Sequence, residues 1–189
     1  MNHVDQAPRQ VSAVLFDRDG TLVEDIPYNG DPEKVRLLPG AREAADLLRA
    51  EGVPTGVVSN QSGIGRGLLT EHDVLRVNRR ADELLGALGT WVFCPHGPEA
   101  RCACRKPRPG LVVEAARRLG VRPDACVVIG DIGADVHAAH AAGARGVLVP
   151  NAVTSRSEIE EAPWTAPDIL TAVRTVLELR AREQREDLR

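Results

Sequence analysis

Asp17 and Asp19 stand two residues apart where the apolar run Val11–Phe16 ends, in the order Phe16-Asp17-Arg18-Asp19-Gly20-Thr21. An extended chain alternates its side chains with a period of two, so both carboxyls leave the same side of the strand and face one pocket. Two acids so placed can divide labour. One can attack phosphorus as a carboxylate, while the other, when protonated, gives a proton to the leaving oxygen and later takes one from water. The alternative is a polar turn in which both side chains accept from backbone N–H groups, since Asp-Gly is a common turn pair. Taken alone, the pair does not decide between the two.

Three further segments offer matching chemistry. Val57-Val58 runs into Ser59-Asn60-Gln61-Ser62-Gly63, where a hydroxyl, amides and successive backbone N–H groups can hold phosphate oxygens or, alternatively, cap a helix. In Arg105-Lys106-Pro107, Lys106 can neutralise negative charge that builds on a phosphoryl group, although a surface lysine is ordinary. Val127-Val128-Ile129-Gly130 leads to Asp131-Ile132-Gly133-Ala134-Asp135, whose acids can complete a magnesium site. A cation there would offset the repulsion between Asp17 and an incoming dianion. Asp135 is equally suited to capping the helix that follows it.

Residues 94–104 form a polar loop containing Cys94, His96, Cys102 and Cys104. Three thiols and an imidazole suit a closed tetrahedral zinc site, and four such ligands in so short a loop have no packing rationale. With four protein ligands no position stays open for a reacting group, so this Zn2+ is expected to be structural. It would pin Arg105 and Lys106, which follow directly, over the phosphate site. Cys126 lies in an apolar run and is expected in the core, and the four cysteines do not make a disulfide framework.

For these residues to meet, a scaffold must bring distant segments together. Short apolar, β-branched runs at Val11–Phe16, Thr55–Val58, Trp91–Phe93, Cys126–Ile129 and Gly146–Val149 predict buried strands. Helical spacing over Ala41–Glu51, Glu71–Leu88, Pro109–Leu119, Asp135–Ala142 and about 168–184 predicts helices between and after them. This alternation predicts an α/β three-layer, Rossmann-like sandwich with a mostly parallel sheet, its ligand lying beyond the carboxyl ends of the strands. A chain of 189 residues can bury roughly 70% of its unfolded surface in one core, so residues 1–189 are read as a single domain.

Composition narrows the partners. The 43% hydrophobic content argues against disorder, and no apolar run is long enough to span a bilayer. A net charge of −3, from 24 basic and 27 acidic residues spread along the chain, provides no basic field for a nucleic-acid backbone. The polar opening Met1–Gln10 predicts no secretory signal, so a cytoplasmic protein is expected, and the lack of an apolar stripe predicts a monomer. The Arg/Glu-rich end, Arg180–Arg189, reads as the solvated continuation of a helix.

In chain order, Asp17-x-Asp19-Gly20-Thr21, Ser59, Lys106, and Gly130-Asp131 with Asp135 resemble the motif set of the haloacid dehalogenase (HAD) superfamily of phosphohydrolases, over about Val11 to Pro150. The resemblance implies Asp17 as nucleophile, Asp19 as acid/base, and Ser59 and Lys106 on phosphate. It also implies Mg2+ on Asp17, Asp131 and the main-chain carbonyl of Asp19. The cysteine loop is similar to that of the branch containing the heptose 1,7-bisphosphate and histidinol-phosphate phosphatases, small enzymes without a large cap domain. That likeness implies an open site in which the zinc loop and Asp25–Leu38 contact the leaving group, with Tyr28 and Arg36 as candidates. Asn60 and Gln61 would assist Ser59, and Arg105 would grip a second phosphate or sugar hydroxyls.

The run Ser59-Asn60-Gln61-Ser62-Gly63-Ile64-Gly65-Arg66-Gly67 resembles the heptose enzymes more closely. The expected substrate is therefore D-glycero-D-manno-heptose 1,7-bisphosphate, cut at its 7-phosphate, with histidinol phosphate or another small sugar phosphate as the alternative. Ile132 departs from the branch, which usually carries a basic residue there. A phosphoacceptor signalling module is the non-enzymatic alternative, and Asp19 argues against it, because an acid/base beside the nucleophile suits rapid hydrolysis of the acyl phosphate. His137 and His140 share one helix face and are expected to be a solvated surface pair.

Overall fold

The structure, a computed structural model, describes residues 10–187. The expectation drawn from the opening segment therefore falls, except at Gln10, outside the described residues. Five strands, β1 (Ala13–Phe16), β2 (Thr55–Asn60), β3 (Thr90–Cys94), β4 (Cys126–Gly130) and β5 (Arg145–Leu148), form one sheet in the order β3-β2-β1-β4-β5. Every neighbouring pair is parallel. The helices are α1 (Ala41–Ala50), α2 (Ser62–Gly65), α3 (Glu71–Leu85), α4 (Gly110–Leu119), α5 (Gly133–Ala141), α6 (Arg156–Glu161) and α7 (Ile169–Asp187).

The pleat of β1 divides the core. Val14 and Phe16 join a cluster with Leu48 of α1, Leu85 of α3 and Val173 of α7, while Ala13 and Leu15 join Leu111 and Ala115 of α4 and Ala138 of α5. All four β1 side chains are fully buried, which is why the strand reads as an unbroken apolar run. Each large apolar side chain so buried contributes roughly 1.5–3 kcal/mol relative to exposure.

The boundaries differ from expectation where they matter for chemistry. β2 continues through Ser59 and Asn60, and β3 through Cys94, so residues read as loop are held by the sheet ladder. α3 starts at a reciprocal cap, with Asp73 N donating to Thr70 Oγ1 at 3.1 Å and Thr70 N donating to Asp73 Oδ2 at 2.9 Å. It stops at Leu85 because Gly86 turns left-handed at φ +83°, so Leu88 lies beyond the helix. α5 begins at Gly133, two residues earlier than expected, and the short helices α2 and α6 were not anticipated at all.

Candidate active site

The parallel register sets Phe16 level with Val57 and Ile129, so the carboxyl ends of β1, β2 and β4 deliver Asp17, Ser59 and Asp131 to one edge of the sheet. Asp17 N donates to Ile129 O at 2.9 Å, fixing the nucleophile candidate to the neighbouring strand. A cleft of about 320 Å³ opens here, floored by Asp17, Asp19, Ser59, Gln61, Lys106 and Asp131. Residues 25–29, Ile132 and Val153 form its rim.

Lys106 reaches this floor from 89 residues further along the chain, with Nζ 2.5 Å from Asp17 Oδ1. The same Nζ lies 2.5 Å from Asp135 Oδ1 and 2.8 Å from Val58 O. Asn60 holds its backbone at both ends: Lys106 N donates to Asn60 Oδ1 at 3.0 Å, and Asn60 Nδ2 donates to Lys106 O at 3.1 Å. Asp135 performs the capping that its position allowed, accepting from Ile132 N at 3.3 Å, and it anchors Lys106 as well. Gly130 makes that approach possible, since a Cβ there would sit 2.3 Å from the Asp135 carboxyl.

Asp131 is oriented from three sides. Its carboxylate accepts from Thr21 Oγ1 at 3.2 Å and Asn151 Nδ2 at 2.7 Å, and its carbonyl accepts from Thr154 Oγ1 at 2.6 Å. Gly20 turns left-handed at φ +81°, and a Cβ there would meet Asp131 Oδ2 at 2.4 Å, so both the turn and the contact require glycine. The Asp19 carboxylate accepts from Arg18 and from Gln61, whose Nε2 also donates to Ser59 Oγ at 2.8 Å.

Negative charge exceeds positive on this floor. Burial pushes the Asp17 pKa well above the usual carboxylate range; Lys106 opposes the shift, while Asp135, Asp131 and Asp19 add to it. Burial, then Asp135, raises Asp131 to about 6. Burial also pulls the Lys106 ammonium down, but Asp135 and Asp17 more than offset it and leave the pKa raised. One ammonium among these acids therefore leaves a site that favours a second cation. Carboxylate oxygens of Asp17, Asp131 and Asp135 lie within 4.8 Å of one another, a hard oxygen set that fits magnesium. Lys106 takes one oxygen of Asp17 as well as one of Asp135, and the residues that could hold such an ion are Asp17, Asp131 and Asp135.

The donor atoms of Cys94, His96, Cys102 and Cys104 lie within 4.8 Å of one another. Separations of 3.4 Å from Cys94 Sγ to His96 Nδ1, 3.3 Å from Cys104 Sγ to His96 Nδ1 and 3.6 Å between Cys94 and Cys102 Sγ come close to the edges of a zinc tetrahedron. Arg105 N donates to Cys102 Sγ at 3.4 Å. Burial opposes ionisation of Cys102, yet this N–H and the Cys104 and Cys94 thiols lower its pKa to about 6, while burial raises Cys94 to about 12 and raises Cys104 as well.

Other expected contacts separate. Arg105 lies outside the cleft wall; its guanidinium reaches His96 O at 3.4 Å and faces a second depression shared with Arg101 and Arg108. Only Lys106 of the two adjacent cations enters the cleft. Tyr28 lines the rim and accepts from Arg66 Nη1 at 2.9 Å, whereas Arg36 turns back to Glu33 O and Val35 O and does not reach it. His137 and His140 are exposed on α5, and Cys126 is buried.

Arg18, Asn78, Asn151 and Thr154 also support the site and are not among the residues that the motifs mark. A signal existed for one of them, since Asn78 interrupts the apolar stripe Val74, Val77, Ala81 and Leu85 of α3. Asn151 and Thr154 follow β5 in a mixed polar and apolar stretch with no comparable mark.

A family model described as HAD-hydrolase-like matches residues 103–178. A D-glycero-beta-D-manno-heptose-1,7-bisphosphate 7-phosphatase of Rhodopseudomonas palustris is 38% identical over 151 residues, covering 74% of this chain and 83% of the relative. A D-glycero-alpha-D-manno-heptose-1,7-bisphosphate 7-phosphatase of Mycobacterium tuberculosis is 37% identical over 137 residues, 67% of this chain and 70% of the relative. The crystal structure of a D,D-heptose 1,7-bisphosphate phosphatase from B. bronchiseptica, complexed with magnesium and phosphate, superposes with a TM-score of 0.79 at 28% identity, covering 89% of this chain and 99% of that one.

Proposed function

The chain belongs to the heptose-1,7-bisphosphate 7-phosphatase family of HAD-like hydrolases, and we propose that it hydrolyses the 7-phosphate of D-glycero-D-manno-heptose 1,7-bisphosphate by way of a phosphorylated Asp17. The observation that carries this reading is the convergence of Asp17, Asp19, Ser59, Lys106 and Asp131 on one cleft. Asp17, at the floor, attacks phosphorus in line with the departing sugar oxygen. Asp19 gives that oxygen a proton and then takes one from the water that cleaves the acyl phosphate. Ser59 and Lys106 hold phosphate oxygens, and the Asn60 clamp keeps the ammonium in place as charge shifts. Magnesium held by Asp17, Asp131 and the Asp19 carbonyl would supply the charge that lets a carboxylate approach a dianion. In this reading the enzyme is single-domain, cytoplasmic and monomeric. Among the described residues no helix is long and apolar enough to cross a membrane.

The substrate assignment is tested by phosphate release with magnesium from both anomers of the heptose bisphosphate, from histidinol phosphate and from other sugar phosphates. A heptose bisphosphate anomer is expected to exceed histidinol phosphate in kcat/KM by more than about 100-fold, a ratio within reach of a few polar contacts. The reverse order would overturn the sugar assignment and leave the phosphatase chemistry standing.

Zinc in the cysteine loop is part of the same proposal, supported by the convergent donor set. Purified protein is expected to contain about one zinc per chain, and Cys102→Ser to lose it. Because Cys104 is followed by Arg105 and Lys106, the loop should slacken and activity fall with the metal. Full zinc in the serine variant would contradict the ligand set.

A further inference from the structure

Arg18 has no part in the scheme above, yet its side chain is only 2% exposed and each guanidinium nitrogen is engaged within the protein. Nε donates to Asp19 Oδ1 at 3.0 Å and Nη2 to Asp19 Oδ2 at 2.8 Å, a two-pronged grip. Nη1 donates to Asn78 Oδ1 at 2.7 Å. Asn78 is itself buried, 60 residues away on the apolar face of α3, where an amide costs stability unless its polar atoms find partners. A buried asparagine that serves a buried arginine, which in turn serves one carboxylate, forms a chain of support ending at Asp19. The bonds that the Arg18 guanidinium makes are to Asp19 and Asn78, within the protein.

We infer that Arg18, seated on Asn78, is the positioning residue that aligns Asp19 for proton transfer, and that the proton moves through Oδ1. The inference rests on the acid/base role proposed for Asp19. Each carboxylate oxygen has about two acceptor positions. Those of Oδ2 are both taken, by Arg18 Nη2 and by Gln61 Nε2 at 2.8 Å. Oδ1 accepts from Arg18 Nε and retains one position for a proton. The planar fork of arginine fixes the plane of the carboxylate as well as its place, which a lysine ammonium cannot do.

Leaving groups of different quality separate this role from general structural support. Proton donation matters for a sugar alkoxide and hardly at all for para-nitrophenolate, which departs readily as an anion. In a pathway with a covalent intermediate, kcat/KM stops at loss of the leaving group, so slow hydrolysis of the acyl phosphate does not blur the comparison. Asn78→Leu keeps side-chain volume and removes the acceptor; Arg18→Lys keeps the charge and removes the fork. Each is expected to lower kcat/KM on the sugar phosphate by about 10–100-fold, and on para-nitrophenyl phosphate by less than about threefold. Asn78→Asp retains the acceptor oxygen and should recover to within about threefold of wild type. Thermal unfolding verifies that each variant is folded, and Arg18→Lys carries the test should Asn78→Leu not fold.

Equal losses on both substrates, or no loss on either, would overturn the inference. Asp19→Asn run in parallel sets the full leaving-group effect. Dependence there but not in the Arg18 and Asn78 variants sinks the positioning role alone, while its absence in Asp19→Asn sinks the acid/base reading and the inference with it.

Discussion

Asp17→Asn protein is expected to release phosphate at least about 10⁴-fold more slowly than wild type while keeping its fold. An amide oxygen at the same place can still accept from Lys106, so the floor of the cleft keeps its shape, but it has no charge with which to attack phosphorus. Stability should not suffer. Burial raises the Asp17 pKa, so the folded protein holds that proton more tightly than the unfolded chain does. Ionised Asp17 is therefore a penalty, absent below its ordinary value of 3.8 and growing as the pH rises above it. The neutral variant escapes the penalty, so at neutral pH its Tm should equal or exceed that of wild type, and the gap should close in acid. Phosphate release from a folded Asp17→Asn protein at a rate near wild type would remove Asp17 from the role of nucleophile. Turnover in heavy-oxygen water supplies a second reading, with label expected in the Asp17 side chain.

Lys106→Met should damage both stability and activity. The ammonium lies between two buried carboxylates, and Met leaves Asp17 and Asp135 facing each other without it. Removing one partner of a buried ionic cluster typically costs about 3–5 kcal/mol, most of it from the charge left behind. Loss of an organised cation at the reacting group should lower kcat by a further factor of about 10²–10³. The destabilisation has a direction in pH. Without Lys106 the one influence lowering the Asp17 pKa among its neighbours is gone, so the penalty of ionising it grows. Denaturant unfolding should thus show a deficit against wild type that is wide near neutrality and narrows in acid, where the carboxyls are protonated in both states. A variant as stable as wild type at neutral pH would mean that the cluster is not held together by Lys106.

These two residues also show how far local signals reach. The direction of Asp17 follows from the pleat of β1, a property of a few consecutive residues, and the acid at the end of β4 follows in the same way. Lys106 carried no local mark beyond its type, and its neighbour Arg105 looked as well placed. Which of the two enters the cleft depends on the path of the chain between Cys104 and α4, and the clamp by Asn60, 46 residues earlier, holds the backbone of Lys106 rather than that of Arg105. Strand ends differ from the apolar runs by a residue or two for a related reason. Asn60 is a weak strand former by type, and it is the ladder between β2 and β3 that carries β2 through Ser59 and Asn60 and β3 through Cys94.

By itself the sequence determined the parallel α/β scaffold, the convergence of acids at strand ends and the cysteine–histidine donor set, because period, spacing and donor chemistry are properties of short stretches of chain. Only the tertiary structure decided which side chains serve others: Asn78 under Arg18, Asp135 behind Lys106, Asn151 against Asp131. Those pairings join segments far apart in sequence, and a buried polar group takes whatever partner the packing of whole elements brings within hydrogen-bond reach.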